Sequence, residues 1–128
     1  MISVDVPHLT RAIEYFDQFL SCKIGQLLLP DVRSLTTSFG VALREDPQLR
    51  WKLLVEHGVL KMVEQNDMPT NCSFSLDADA LLAIVCGRLA PQQAFFQRRV
   101  DIGGDLAAAL KTAAVMTQFF RRFPYTIR

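Results

Sequence analysis

Apolar residues recur at three- and four-residue steps through the start of the chain: Leu9, Ile13, Phe16, Leu20, Ile24 and Leu27. That spacing lines them up on one stripe and predicts a helix over residues 7–28. Asp5 and Pro7 supply start signals, Gly25 weakens the last turn and Pro30 ends the pattern. From Ser34 the period changes. SLTTSFGVALR is rich in Thr, Phe and Val, which suit a pleated strand. WKLLVEHGVLKMVEQ reads as two strands joined at Glu56-His57-Gly58, where the glycine supplies the positive φ of a tight hairpin turn. NDMPTN is a loop, and CSFSL is a short strand with Cys72, Phe74 and Leu76 on one face.

Helical spacing then returns. DADALLAIVCGRL has Asp77 at its start as an N-cap, with Leu81, Leu82, Ile84, Val85 and Leu89 forming a broad apolar surface. Pro91 fits the first turn of a short helix, PQQAFFQ. Arg98 to Ile102 make a last strand, Gly103-Gly104 turn the chain, and Asp105 caps a final helix through about Phe120. Five strands, clustered early and followed by helices, indicate an α+β fold with a largely antiparallel sheet covered by helices on one face.

The 128 residues suit one domain, 1–128, with an N-terminal helix over about 7–28 and a core over about 34–120. Lys and Arg number 14 against 13 Asp and Glu, so the net charge of +1 offers no electrostatic case for nucleic acid. No segment reaches the ~20 apolar residues that span a bilayer. The start, MISVDVPHLTRAIEYF, lacks a cationic run before an apolar one and does not read as a secretory signal. Cys22, Cys72 and Cys86 are odd in number and widely spaced, which fits free thiols and a cytoplasmic location.

Catalytic motifs are not evident. His8 lies near the N-terminus and His57 in a hairpin turn, and there is no GxSxG, HExxH, P-loop or paired-cysteine metal motif. Asp77 and Asp79 sit at a helix start, where capping explains them. Cys86 lies on an apolar helix and reads as core. The expectation is a protein that is not an enzyme, with no cofactor and no metal.

The segment GRLAPQQAFFQRRVDIGGDLAAALK, residues 87–111, resembles the sterol carrier protein 2 domain family. The matching positions are Gly87-Arg88-Leu89, Pro91, Ala94-Phe95, Ile102, Gly104-Asp105 and Leu110-Lys111, and the element order from Ser34 onward agrees. Phe95-Phe96-Gln97-Arg98-Arg99, with Trp51 and the Phe74-Ser75 strand, is similar to a bacterial stand-alone branch that serves as an accessory factor in oxygen-independent ubiquinone biosynthesis. The resemblance implies a sheet and helices enclosing an apolar tunnel, and a lipid or isoprenoid quinone precursor as ligand. It also implies ubiquinone-biosynthesis enzymes as partners. The final helix agrees with this: small alanines leave room, and adaptable Met116 sits near Phe119 and Phe120. Leu82, Val85, Leu89, Phe95, Phe96, Arg98, Met116, Phe119 and Phe120 are the expected lipid-binding residues, each of which could instead be plain core or surface.

Burying about ten methylenes at ~0.8 kcal/mol each gives roughly 8 kcal/mol before ordering costs, hence about micromolar affinity at best. Such contacts cannot tell one tail from another, so selectivity falls to the rim. In a strand Arg98 shares a face with Val100 and Ile102, from which its guanidinium reaches the opening to meet a phosphate, carboxylate or quinone oxygen. A surface salt bridge is the rival explanation. Arg121-Arg122 beside Phe119, Phe120, Phe123 and Tyr125 either snorkel to solvent or make a transient membrane or protein contact. Two other functions remain open at this level: a general phospholipid or fatty-acid carrier, and an assembly module whose pocket is filled by its own side chains.

Overall fold

In the computed structural model, residues 6–25, 36–66 and 69–125 are described. Five strands form where β-branched and aromatic residues alternate with polar ones: β1 Thr37–Leu43, β2 Asp46–Glu56, β3 Val59–Gln65, β4 Cys72–Leu76 and β5 Val100–Gly104. Their order across the sheet is β3-β2-β1-β4-β5. β1 and β4 run parallel and every other pairing is antiparallel. The β2–β3 hairpin turns on two residues, His57 (φ 52°) and Gly58 (φ 77°). A turn with both central residues left-handed matches the twist of the strands it joins. β2 begins at Asp46, ahead of the predicted Trp51.

The two-residue repeat sends Phe39, Val41, Leu43, Trp51, Leu53 and Val55 to one buried face. Arg50, Ser73 and Asp101 fall on the other, exposed face. The helices lie over the buried face: α2 Ala78–Val85, α3 Pro91–Phe96 and α4 Leu106–Arg122. Their starts follow the residues expected. Asp77 accepts a hydrogen bond from the Ala80 N–H at 2.6 Å, Asp105 accepts one from the Ala108 N–H at 3.2 Å, and Pro91 opens α3.

The N-terminal segment departs from a regular helix. α1 spans Val6–Glu14, then the chain widens into a π-helical turn over Tyr15–Leu20 and tightens into a 3₁₀ turn over Ser21–Lys23. The wider turn lets Tyr15, Phe16 and Leu20 all be buried, one more large side chain than the regular stripe would admit. It is pinned to the sheet. Phe16 stacks on Trp51 with centroids 4.3 Å apart, and the Trp51 Nε1–H donates to Asp17 Oδ1 at 3.1 Å. Ile24 itself has an extended backbone, so it is exposed rather than on the stripe. Asp5, Leu27 and Pro30 lie outside the described residues.

The last strand is also shorter than predicted, starting at Val100 rather than Arg98. The cause is the end of α3. The Arg99 N–H donates to the Ala94 carbonyl at 2.9 Å and the Arg98 N–H to the Phe95 carbonyl at 3.0 Å, with Arg98 at φ 60°. This is a Schellman closure, which takes its left-handed residue out of any strand. α2 ends in the same way, the Arg88 N–H donating to Ala83 and the Gly87 N–H to Ile84, with Gly87 at φ 82°.

Two left-handed glycines separate strain from crowding. A Cβ on Gly104 would lie 2.7 Å from the Asn71 carbonyl oxygen, whereas one on Gly87 would meet nothing within 4 Å. Gly87→Ala is therefore expected to cost about 1 kcal/mol of backbone strain. Gly104→Ala should cost at least about 2–3 kcal/mol, because β4 must also shift. Urea denaturation of the two variants checks this, and equal midpoints would refute it.

Candidate functional site

The helices do not pack down onto the whole of the sheet. They leave a cavity of about 260 Å³. Its floor is the buried sheet face, including Phe39, Val41, Leu53, Phe74 and Ile102. Tyr15, Phe16 and Leu20 of the π turn form one side, and Leu81, Ile84 and Val85 of α2 form the roof. Phe95 and Phe96 of α3 close a further side together with Leu110, Ala113, Met116 and Phe120 of α4. For scale, an apolar cavity of roughly 150 Å³ is enough to take up benzene. Because Phe96 is 82% exposed and Leu110 47%, this wall reaches the surface between α3 and the start of α4. A second depression, of about 370 Å³, lies on the open sheet face around Gly40, Thr70, Ser73 and Gly103, and is partly polar.

The helical repeat explains which expected residues line the cavity. Val85, Phe95, Phe96, Met116 and Phe120 are in its wall. Leu82 and Phe119 are buried outside it, and Leu89 is only partly buried and also outside. Phe119 and Phe120 are successive on α4 and so point in different directions. Phe119 packs instead against Phe123, with ring centroids 5.3 Å apart. Arg98 is exposed and absent from the wall, so its side chain does not follow the alternation of Val100 and Ile102. Arg99 pairs with Asp79 at 3.4 Å, and Asp101 with Arg44 at 2.8 Å. Sequence reasoning missed the sheet-face residues and Tyr15. The first carried a usable signal, since strand alternation already put Phe74 and Leu76 on one face.

Two hydroxyls interrupt this apolar lining. Tyr15 Oη and Thr112 Oγ1 are buried without a hydrogen-bond partner among the described residues. Burial pushes the Tyr15 phenol far above its ordinary range, with Cys86 and Tyr125 adding to the shift, so it stays protonated. Burial also raises the Cys72 thiol, partly offset by the Thr112 hydroxyl, a contact that falls short of hydrogen-bond geometry. A thiol held neutral is no nucleophile. Among the described residues no group of three His, Cys, Asp or Glu could hold a metal ion. This arrangement can exclude water and hold hydrocarbon.

An unpaired buried hydroxyl costs about 1–3 kcal/mol. Tyr15→Phe removes that cost while keeping the ring contacts with Phe16, Phe19 and Tyr125. The variant, stripped of lipid, is expected to be more stable than the parent by about 1 kcal/mol in urea denaturation. A loss of stability would mean that the hydroxyl has a partner.

Comparison with known proteins agrees with this architecture. Residues 20–117 match the model of the SCP-2 sterol transfer family. Sterol carrier protein 2 of Rattus norvegicus is 26% identical over 90 residues, which are 68% of this chain and 16% of that protein. The chain thus spans about a sixth of the length of the curated relatives it matches. Among solved structures, a crystal structure of sterol carrier protein 2 superposes with a TM-score of 0.63 at 14% identity, covering 91% of this chain and 96% of that one. A ubiquinone synthesis protein, UbiJ-SCP2, superposes with a TM-score of 0.59 at 16% identity, covering 88% and 96%.

Proposed function

Because the chain belongs to the SCP-2 sterol transfer family, we propose that it works as one non-enzymatic binding domain that presents hydrophobic ubiquinone precursors to biosynthetic enzymes in the cytoplasm. The tail occupies the cavity, which serves as the tunnel, and the polar end stays at the opening between α3 and α4. The observation that carries this reading is the cavity itself, walled by apolar side chains and reaching the surface beside Phe96. Its volume suits part of a prenyl or acyl chain, and the apolar wall binds by area, without directionality. The pathway rests on the Phe-Phe-Gln-Arg-Arg segment and on the fold shared with a ubiquinone synthesis protein.

A general phospholipid or fatty-acid carrier would use the same cavity. An assembly module with a self-filled pocket is disfavoured, because among the described residues no side chain occupies the space.

Organic extraction of the purified protein, followed by mass spectrometry, tests the reading. A bound prenylated aromatic compound is the expected result. Phospholipid or fatty acid in its place would transfer the assignment to the general carrier, and an empty protein that takes up no added lipid would reject both. Ala113→Phe, which fills the cavity from α4, should weaken uptake of a prenyl or acyl probe by about tenfold while leaving the melting temperature within a few degrees.

A further inference from the structure

The surface around the cavity opening has a composition that the cavity alone does not require. Of the five large hydrophobic residues exposed among the described residues, four lie on two adjoining helices: Phe95 (38% exposed), Phe96 (82%), Leu106 (52%) and Leu110 (47%). α3 packs on α4, and the rings of Phe95 and Phe96 lie 6.0 Å apart. The cations are equally local. Residues 87–100 contain three arginines and no carboxylate, in a chain whose net charge is only +1. Arg99 is paired with Asp79, but Arg98 is exposed with no ion pair among the described residues, and Lys111 is exposed next to Leu110.

Arg98 is also in a conformation that arginine does not favour. Its φ of 60° occupies the left-handed position of the Schellman closure, where the otherwise identical closure of α2 has Gly87. A strained residue kept where glycine would be easier points to a role for its side chain.

We propose that the closing turn of α3 and the first two turns of α4 form a docking surface for an anionic lipid bilayer. Phe95, Phe96, Leu106 and Leu110 enter the acyl boundary, while Arg98 and Lys111 meet the phosphates. Bare rings beside unpaired cations are the pattern of an interfacial segment, and an anionic bilayer complements both at once. Since Phe95, Phe96 and Leu110 belong to the cavity wall as well, the bilayer meets the opening directly. A lipid can then pass between membrane and cavity without crossing water. This purpose rests on the carrier reading, but the test does not, because vesicle binding is read whether or not the cavity is filled.

Co-sedimentation of the full chain with phosphatidylglycerol-containing vesicles and with pure phosphatidylcholine vesicles tests the proposal. The parent is expected to bind the anionic vesicles, and to bind less at high salt and to phosphatidylcholine. Phe96→Ser should weaken binding about tenfold. Arg98→Gly should weaken it about fivefold, yet melt at a higher temperature than the parent because the left-handed strain is gone. That opposite movement of binding and stability cannot come from misfolding. No binding to anionic vesicles at low salt would overturn the proposal, as would equal binding to both vesicle types or both variants binding like the parent. Self-association that depends on Phe96 without vesicle binding would also overturn it, and would make the surface a contact between copies.

Discussion

The contact on which the architecture depends is the one between Trp51 and the π turn. Trp51 is fully buried at the centre of the longest strand, stacked on Phe16 and hydrogen-bonded through its indole N–H to Asp17. The stack adds about 0.5–1.5 kcal/mol beyond the area it buries. More important is where it acts. It fixes the N-terminal segment over β2, and the π turn then places Tyr15 and Leu20 beside Phe16 in the wall of the cavity. The first helix thereby becomes a wall at one side of the sheet, and the middle of the sheet face remains uncovered. A regular helix through the same residues would present a narrower stripe, and the side chains that now frame a space would be free to close it.

Local chemistry made most elements legible in the sequence. Asp77, Pro91 and Asp105 start their helices for reasons confined to one turn of chain, and alternation of Phe, Val and Leu marks the strand faces regardless of what covers them. The failures have a common cause. The π turn lets Tyr15 and Phe16 each meet a ring far away in sequence, Tyr125 and Trp51, and an α-helical repeat does not anticipate the wider i→i+5 closure that allows it. The strand start at Arg98 failed because an arginine does not announce a left-handed residue, whereas Gly87 does. The cavity was hardest to read. A residue on the apolar side of a helix looks the same whether it touches a neighbour, as Phe119 does, or faces a space, as Phe120 does.

The two Schellman closures show how one backbone device serves different ends. Closing α2 with Gly87 costs little and presents nothing. Closing α3 with Arg98 retains roughly 1 kcal/mol of strain and fixes the backbone of a cationic residue at the end of the helix that carries Phe95 and Phe96. Marginal stability makes even that sum matter, so the residue's presence argues for what its side chain meets outside the protein.

The cavity and the surface around it impose opposite demands that the fold reconciles. An apolar wall binds in proportion to the area it covers and releases with the same difficulty, because every methylene withdrawn into water restores about 0.8 kcal/mol of unfavourable hydration. A carrier that let go of its ligand into water would face that barrier in full, and a tighter cavity would only raise it. An opening framed by Phe96, Phe95 and Leu110 removes the conflict if it empties into another apolar phase, since each methylene then leaves one hydrocarbon environment for another. The unpaired hydroxyls of Tyr15 and Thr112 do not alter this balance, because a hydrocarbon tail offers them no partner and their cost falls on the empty and the filled state alike.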